Sequence, residues 1–199
     1  MYELKPAFQR SLRPAVGRLA SAGVTANAVT VAAVVLSVAA GGCIAIWPEQ
    51  RWPLLVLPVV LLVRMALNAV DGMLAREHDM RSRLGALLNE LGDVVSDAAL
   101  YLPLALVAAV HPVLVVLAVT LAVISEMTGV LGQTIGAARR YDGPMGKSDR
   151  ALVFGALGLW LGLGGAAGVW IHIVLAAVSL LLVLTIVNRA RKALQTTEE

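Results

Sequence analysis

Six apolar stretches, at about 27–47, 52–72, 86–110, 113–136, 151–166 and 169–188, divide this chain of 199 residues. A helix needs about 20 apolar residues to cross about 30 Å of hydrocarbon, and every stretch except the short fifth is near that length. The sequence therefore predicts an all-α membrane protein with six transmembrane helices. Hydrophobic residues make up 59% and charged residues 15% of the chain, against about 25% charged in soluble domains, which excludes a water-soluble enzyme and a disordered chain. Cys43 is the single cysteine, so no internal disulfide can form.

The basic residues orient the chain. Fourteen of sixteen fall on one side: Lys5, Arg10, Arg13 and Arg18; Arg76, Arg81 and Arg83; Arg139, Arg140, Lys147 and Arg150; and Arg189, Arg191 and Lys192. Arg51 is alone on the other side and Arg64 lies inside the second stretch. By the positive-inside rule both termini are cytoplasmic. Trp47, Trp52, Trp160 and Trp170 mark the opposite interface, where an amphipathic ring prefers the headgroups. Topology thus accounts for the basic loops, and nucleic acid is not an expected partner. Residues 4–21 space Leu4, Phe8, Leu12, Val16 and Leu19 by four, four, four and three, with basic residues between. This pattern predicts an interfacial amphipathic helix, bent at Pro6 or Pro14, that anchors the cytoplasmic face or orients the chain. With no internal repeat or linker, residues 1–199 read as a single membrane domain: a juxtamembrane helix over 1–23 and a six-helix bundle over 24–199. The first apolar run is too long for the core of a cleaved signal, so the N-terminus is expected to be retained.

Polar residues crowd into one segment, NAVDGMLAREHDMRSRLGALLNELGDVVSD at 68–97. Ionisable groups inside a membrane cost at least a few kcal/mol each and are functional candidates by default. Trp52 to Asp71 and Asp93 to Pro112 are both nineteen residues, about 28 Å of helix, so the two aspartates lie at one level near the cytoplasmic boundary. Asn27, twenty residues from Trp47, brings the first stretch to that level. Asn68, Asp71 and Ala75 share one helix face, and Gly85, Asn89, Asp93 and Asp97 repeat every four on another. Gly72, Ala75, Gly85, Ala86 and Gly92 remove bulk beside them. An all-oxygen cluster without His or Cys suits Mg²⁺ or Mn²⁺ rather than zinc, while His78, His111 and His172 are dispersed. Such an ion could hold a phosphate at headgroup level while a carboxylate takes a proton from an attacking hydroxyl; the plainer alternative is a structural hydrogen-bond network.

These residues resemble a family signature. Asp71-Gly72-x-x-Ala75-Arg76, eight residues, Gly85 and then Asp93 match six of eight positions of the CDP-alcohol phosphotransferase motif D-x-x-D-G-x-x-A-R, eight residues, G-x-x-x-D-x-x-x-D. Thr25-Ala26-Asn27-x-x-Thr30 is similar to the T-P-N-x-x-T that opens the family's first membrane helix. The first and third signature aspartates are Asn68 and Asn89 here, which, with GKSDRAL at 146–152, resembles a YnbA-like bacterial subgroup.

The resemblance implies an enzyme of phospholipid biosynthesis in the bacterial inner membrane. It would move a substituted phosphate from a CDP-alcohol, such as CDP-diacylglycerol, to an acceptor alcohol and release CMP. It implies Asp71 as a metal ligand, Asp93 as base or ligand, and amide oxygens from Asn68 and Asn89. Gly72, Ala75 and Gly85 would make room for the cytidine nucleotide, Arg76 would lie near its phosphates, and the protein would be a homodimer among membrane lipid. The rivals are a catalytically weakened relative that binds CDP-linked lipid and a small transporter, though a transporter's site would lie at midplane.

The resemblance also implies two divalent ions, held in the family by four aspartates; two aspartates here supply −2 where two Mg²⁺ carry +4, so a second ion would need substrate phosphates or an acid such as Glu90 or Asp97. Arg64, four before Asn68, would hold a phosphate, pair with Asp71 or neutralise the acidic cluster. Glu126 reaches the site or makes an interhelical bond. Arg139, Arg140, Lys147 and Arg150 form a phosphate pocket or only set topology. Tyr141 to Ser148 is no P-loop, since its first glycine is missing and no strand precedes it. Gly158 and Gly162, with Gly164 and Gly168, permit close helix packing within the chain or across a dimer.

Overall fold

A computed structural model describes residues 4–195 apart from 109. Its helices are α1 (Leu4–Ser21), α2 (Ala26–Ile46), α3 (Trp52–Glu77), α4 (Arg83–Tyr101), α5 (Pro112–Leu131), α6 (Lys147–Gly162) and α7 (Val169–Gln195). Short 3₁₀ turns at Leu102–Leu106 and Gly132–Ile135 follow α4 and α5. Four segments are long and apolar enough to cross a membrane: α2, α3, α5 with its 3₁₀ extension, and α7. Of the other two predicted spans, α4 is interrupted by Asn89, Glu90, Asp93 and Asp97, and α6 has only 16 residues.

Helix ends depart from the apolar stretches for local reasons. α3 continues past 72 to Glu77, because Met73, Leu74, Ala75, Arg76 and Glu77 are all good helix formers and Met73 and Leu74 are buried in the core. α4 begins three residues before the third stretch, where the Ser82 hydroxyl accepts the Gly85 N–H at 2.9 Å and caps the helix. It stops at Tyr101 rather than near 110, since Pro103 enters the next turn without a backbone donor.

The chain forms two compact units. The first comprises Met1–Ala39 and Val59–Ser96, the second Ala40–Pro58 and Asp97–Glu199. In the first unit Val16 of α1 packs with Ala26 and Val29 of α2 and with Val70, Met73 and Leu74 of α3, and Leu12 and Leu19 extend that contact. The predicted amphipathic helix therefore turns its stripe onto α2 and α3, with Arg10 and Arg13 exposed on its other side, and it runs continuously through Pro14. In the second unit the Tyr101 ring stacks on Phe154 at 4.2 Å, and Gly158 and Gly162 of α6 lie against Leu54, Leu57 and Leu55 at the start of α3. Trp47 meets Trp52, and Trp160 meets Trp170, at 5.5 and 5.9 Å.

Adjacent glycines in α2 give a paired test. A methyl on Gly41 would run into the Ala99 carbonyl, whereas one on Gly42 meets nothing within 4 Å. Gly42→Ala is expected to leave thermal stability in detergent unchanged or raise it by up to about 1 kcal/mol through helix propensity. Gly41→Ala should lower it; equal behaviour of the two variants would contradict the α2 packing.

Candidate functional site

The registers of α2, α3 and α4 meet around one carboxylate. Asp71 is 5% exposed, and its Oδ2 accepts the Thr30 hydroxyl at 2.9 Å. Above it opens a cleft of about 480 Å³, lined from α2 by Ala26, Asn27 and Thr30 and from α3 by Asn68, Asp71, Gly72, Ala75 and Arg76. The connection adds Met80, Arg81 and Ser82, and α4 adds Gly85, Ala86 and Asn89. In that connection Asp79 takes a left-handed backbone, φ 53°, which the short polar side chain of Asp tolerates better than most.

Small residues keep the cleft open. A Cβ on Gly85 would sit 2.6 Å from Asn27 Oδ1 and 2.9 Å from Ser82 Oγ, so a side chain there would displace the Asn27 amide or the Ser82 cap. A Cβ on Gly72 would lie 3.2 Å from both terminal nitrogens of Arg76, whose guanidinium is thus folded back along α3 over the glycine. The wall therefore offers a buried carboxylate, two arginines and three amides, a set that can receive a phosphate-bearing ligand and a hard cation together.

Asp93 stands beside this wall. Its Oδ1 accepts the Asn68 amide at 3.1 Å and lies 3.7 Å from Arg64 Nη2, which also donates to the Asp93 backbone carbonyl at 3.0 Å. Arg64 is 3% exposed. Asn27, Asn68, Asp71, Gly72, Ala75, Arg76, Gly85 and Asn89 are thus brought to one cleft, with Asp93 and Arg64 joined to it through Asn68. Thr30 was named in the sequence only as part of the flanking motif, yet it bonds Asp71; a hydroxyl one helical turn from Asn27 was the available signal. Among the described residues, no three His, Cys, Asp or Glu side chains gather into a metal cluster.

Glu90, half-buried on α4, stays with the first unit, and the remaining charged candidates belong to the second. Arg150, 1% exposed, donates from Nε and Nη2 to Asp97 Oδ2 at 3.1 and 2.8 Å and from Nη2 to Glu126 Oε1 at 2.9 Å. Arg139 and Arg189 each come within 3.3 Å of Glu126 Oε2, and Arg139 also covers the Tyr141 ring at 4.2 Å. Asp97 and Glu126 therefore compensate arginines. The GKSDRAL phrase explains itself here: Asp149 accepts the Gly146 N–H at 2.9 Å and caps α6, beginning at Lys147, while Arg150 turns inward. Arg140 donates to the Lys192 carbonyl, and Lys192 bonds Asp142 at 2.6 Å, which holds that carboxyl below its ordinary range. That tether contributes stability at neutral pH, lost as pH falls through the lowered pKa.

Removing one member of a buried pair strands its partners. Glu126→Ala should cost about 3–5 kcal/mol, read as lost thermal stability in detergent. Unchanged stability would contradict the role of Glu126 as the centre of this network.

Comparison with known proteins adds four findings. Residues 23–184 match the CDP-alcohol phosphatidyltransferase family. The Escherichia coli K12 inner membrane protein YnbA is 45% identical over 194 residues, covering 98% of this chain and 96% of that one. A crystal structure of Mycobacterium tuberculosis phosphatidylinositol phosphate synthase with CDP-DAG bound superposes with a TM-score of 0.77 at 20% identity, covering 92% of this chain and 94% of that one. The same synthase in complex with manganese and citrate gives 0.75 at 21%, covering 90% and 87%.

Proposed function

This chain belongs to the CDP-alcohol phosphatidyltransferase family, and from that premise we propose that the cleft over Asp71 is where it transfers a substituted phosphate from a CDP-alcohol to an acceptor alcohol, releasing CMP, in phospholipid biosynthesis. The observation that carries the reading is the buried Asp71 at the cleft wall with Arg76 folded over Gly72 beside it. Together they present a site for a cation and a site for phosphate oxygens within one turn of helix.

The donor set fits a divalent ion: Asp71, with amide oxygens of Asn68 and Asn89 and Asp93 nearby, is all oxygen, as Mg²⁺ and Mn²⁺ prefer. When bound, the ion polarises the phosphoryl oxygens and offsets charge on departing CMP. Arg76 and Arg81 bind the diphosphate by charge-assisted hydrogen bonds. Gly72, Ala75, Gly85 and Asn27 shape the room for the nucleotide. Asp93 takes the proton of the acceptor hydroxyl, directly or through one water.

CDP-diacylglycerol is the donor we propose, supported by the like-folded synthase that binds it. A bacterial inner membrane location is supported by the YnbA relative and by the four apolar helices. Six crossings with both termini cytoplasmic rest on α4 and α6 crossing as well, and on the one-sided arginines and lysines. The family match over 23–184 supports reading 1–199 as one functional domain. A homodimer is part of the reading, through faces other than Gly158 and Gly162, which are used inside the chain.

Purified protein with CDP-diacylglycerol or other CDP-alcohols, Mg²⁺ or Mn²⁺ and a panel of alcohols is expected to release CMP. Asp71→Ala should abolish release, and metal-dependent turnover surviving it would overturn the site. Asp93→Asn should lower turnover by about 10²–10⁴-fold, the contribution of a general base, while CDP still protects the protein against heat. A near-normal rate would move proton removal to another group. Donor binding with no CMP release from any acceptor would favour a binder of CDP-linked lipid.

A further inference from the structure

Resting on that reading of the cleft, we propose that Arg64 is a fixed counter-cation standing in for a second metal ion. It holds Asp93 away from the metal, so that the site operates with one divalent ion bound at Asp71. Arg64 is then a positioning residue, acting through Asp93.

The geometry around one oxygen carries this. Oδ1 of Asp93 accepts the Asn68 amide at 3.1 Å and faces the Arg64 guanidinium as an ion pair at 3.7 Å, so its charge is already met by a cation of the chain. The Asn68 amide must face this way, since the reverse orientation would set two oxygens against each other. Arg64 is anchored a second time, on the Asp93 backbone carbonyl at 3.0 Å, which keeps the cation from swinging aside. An acid at position 68 would repel Asp93 unless a metal or proton stood between them; the amide replaces that need with a hydrogen bond.

Charge points the same way. Asp71 and Asp93 with Arg64 sum to −1, so one divalent ion brings the constellation to +1, which a diphosphate can meet. A second would bring it to +3. Because Arg64 is 3% exposed and a guanidinium does not deprotonate in proteins, neither solvent screening nor proton loss relieves the repulsion on an incoming second ion.

The test counts bound Mn²⁺ per chain at saturating CDP, by equilibrium dialysis and metal analysis of the full chain in detergent. The unmodified protein should hold one ion. Asn68→Asp alone should still hold one, because with Arg64 in place the constellation is −2, which one divalent ion neutralises, and Arg64→Gln combined with Asn68→Asp, at −3, should hold two. Two ions on the unmodified protein or on Asn68→Asp would overturn the proposal, as would one ion on a double variant that still binds CDP. Should the double variant fail to fold, Mn²⁺ anomalous scattering from crystals of the unmodified protein with CDP decides. One peak at Asp71 supports the proposal, and a peak coordinated by either carboxylate oxygen of Asp93 overturns it. If the unmodified protein bound neither Mn²⁺ nor CDP, the reading of the cleft itself would fail; if it bound CDP with two ions, only the role of Arg64 would.

Discussion

Asp71 sits on a helix whose buried neighbours are Val70, Met73 and Leu74, and a carboxylate placed there has lost most of its water. A buried charge is tolerated when hydrogen bonds or opposite charge replace that water. Thr30 contributes one hydroxyl from α2. A cation entering the cleft can supply further compensation and bring a diphosphate with it, and the arrangement around Asp71 serves that entry: glycine where α4 begins, glycine beneath Arg76, amides on three helices.

The second unit meets the same electrostatic problem in a closed form. Arg150 lies between Asp97 and Glu126, and Arg139 and Arg189 complete the set. Its acids and bases find partners on α4, α5, α6 and α7 within the chain. A network whose charges are paired by its own side chains specifies packing, whereas charge beside an open cleft invites a ligand. α1 bears on the cleft at one remove, because Val16 and Leu12 pack on the face of α3 that includes Val70, Met73 and Leu74, the residues flanking Asp71.

Much of this was legible in the sequence. Apolar runs near membrane length foretold the helices, and helical spacing put Asn68, Asp71 and Ala75 on one face because period and rise follow from backbone geometry alone. The signature spacing led to Asp71, Gly72, Arg76 and Gly85, which do share a cleft. Spacing is silent about partners between elements. That Arg150 would reach Asp97, 53 residues earlier, or that Arg64 would bond the backbone of Asp93, depends on how helices pack. The ends of α3 and α4 were misjudged for a related reason: hydropathy marks where lipid contact ends, while Ser82 and Pro103 mark where the helix does.

The central claim is that a divalent ion at Asp71 makes this cleft receptive to a cytidine diphosphate. The most direct measurement is a calorimetric titration of CDP into the purified protein, first with Mn²⁺ and then with a chelator in its place. Saturable binding of one nucleotide per chain with metal, lost in chelator, is the predicted result. Binding of equal strength in both, carried by the arginines alone, would contradict the account.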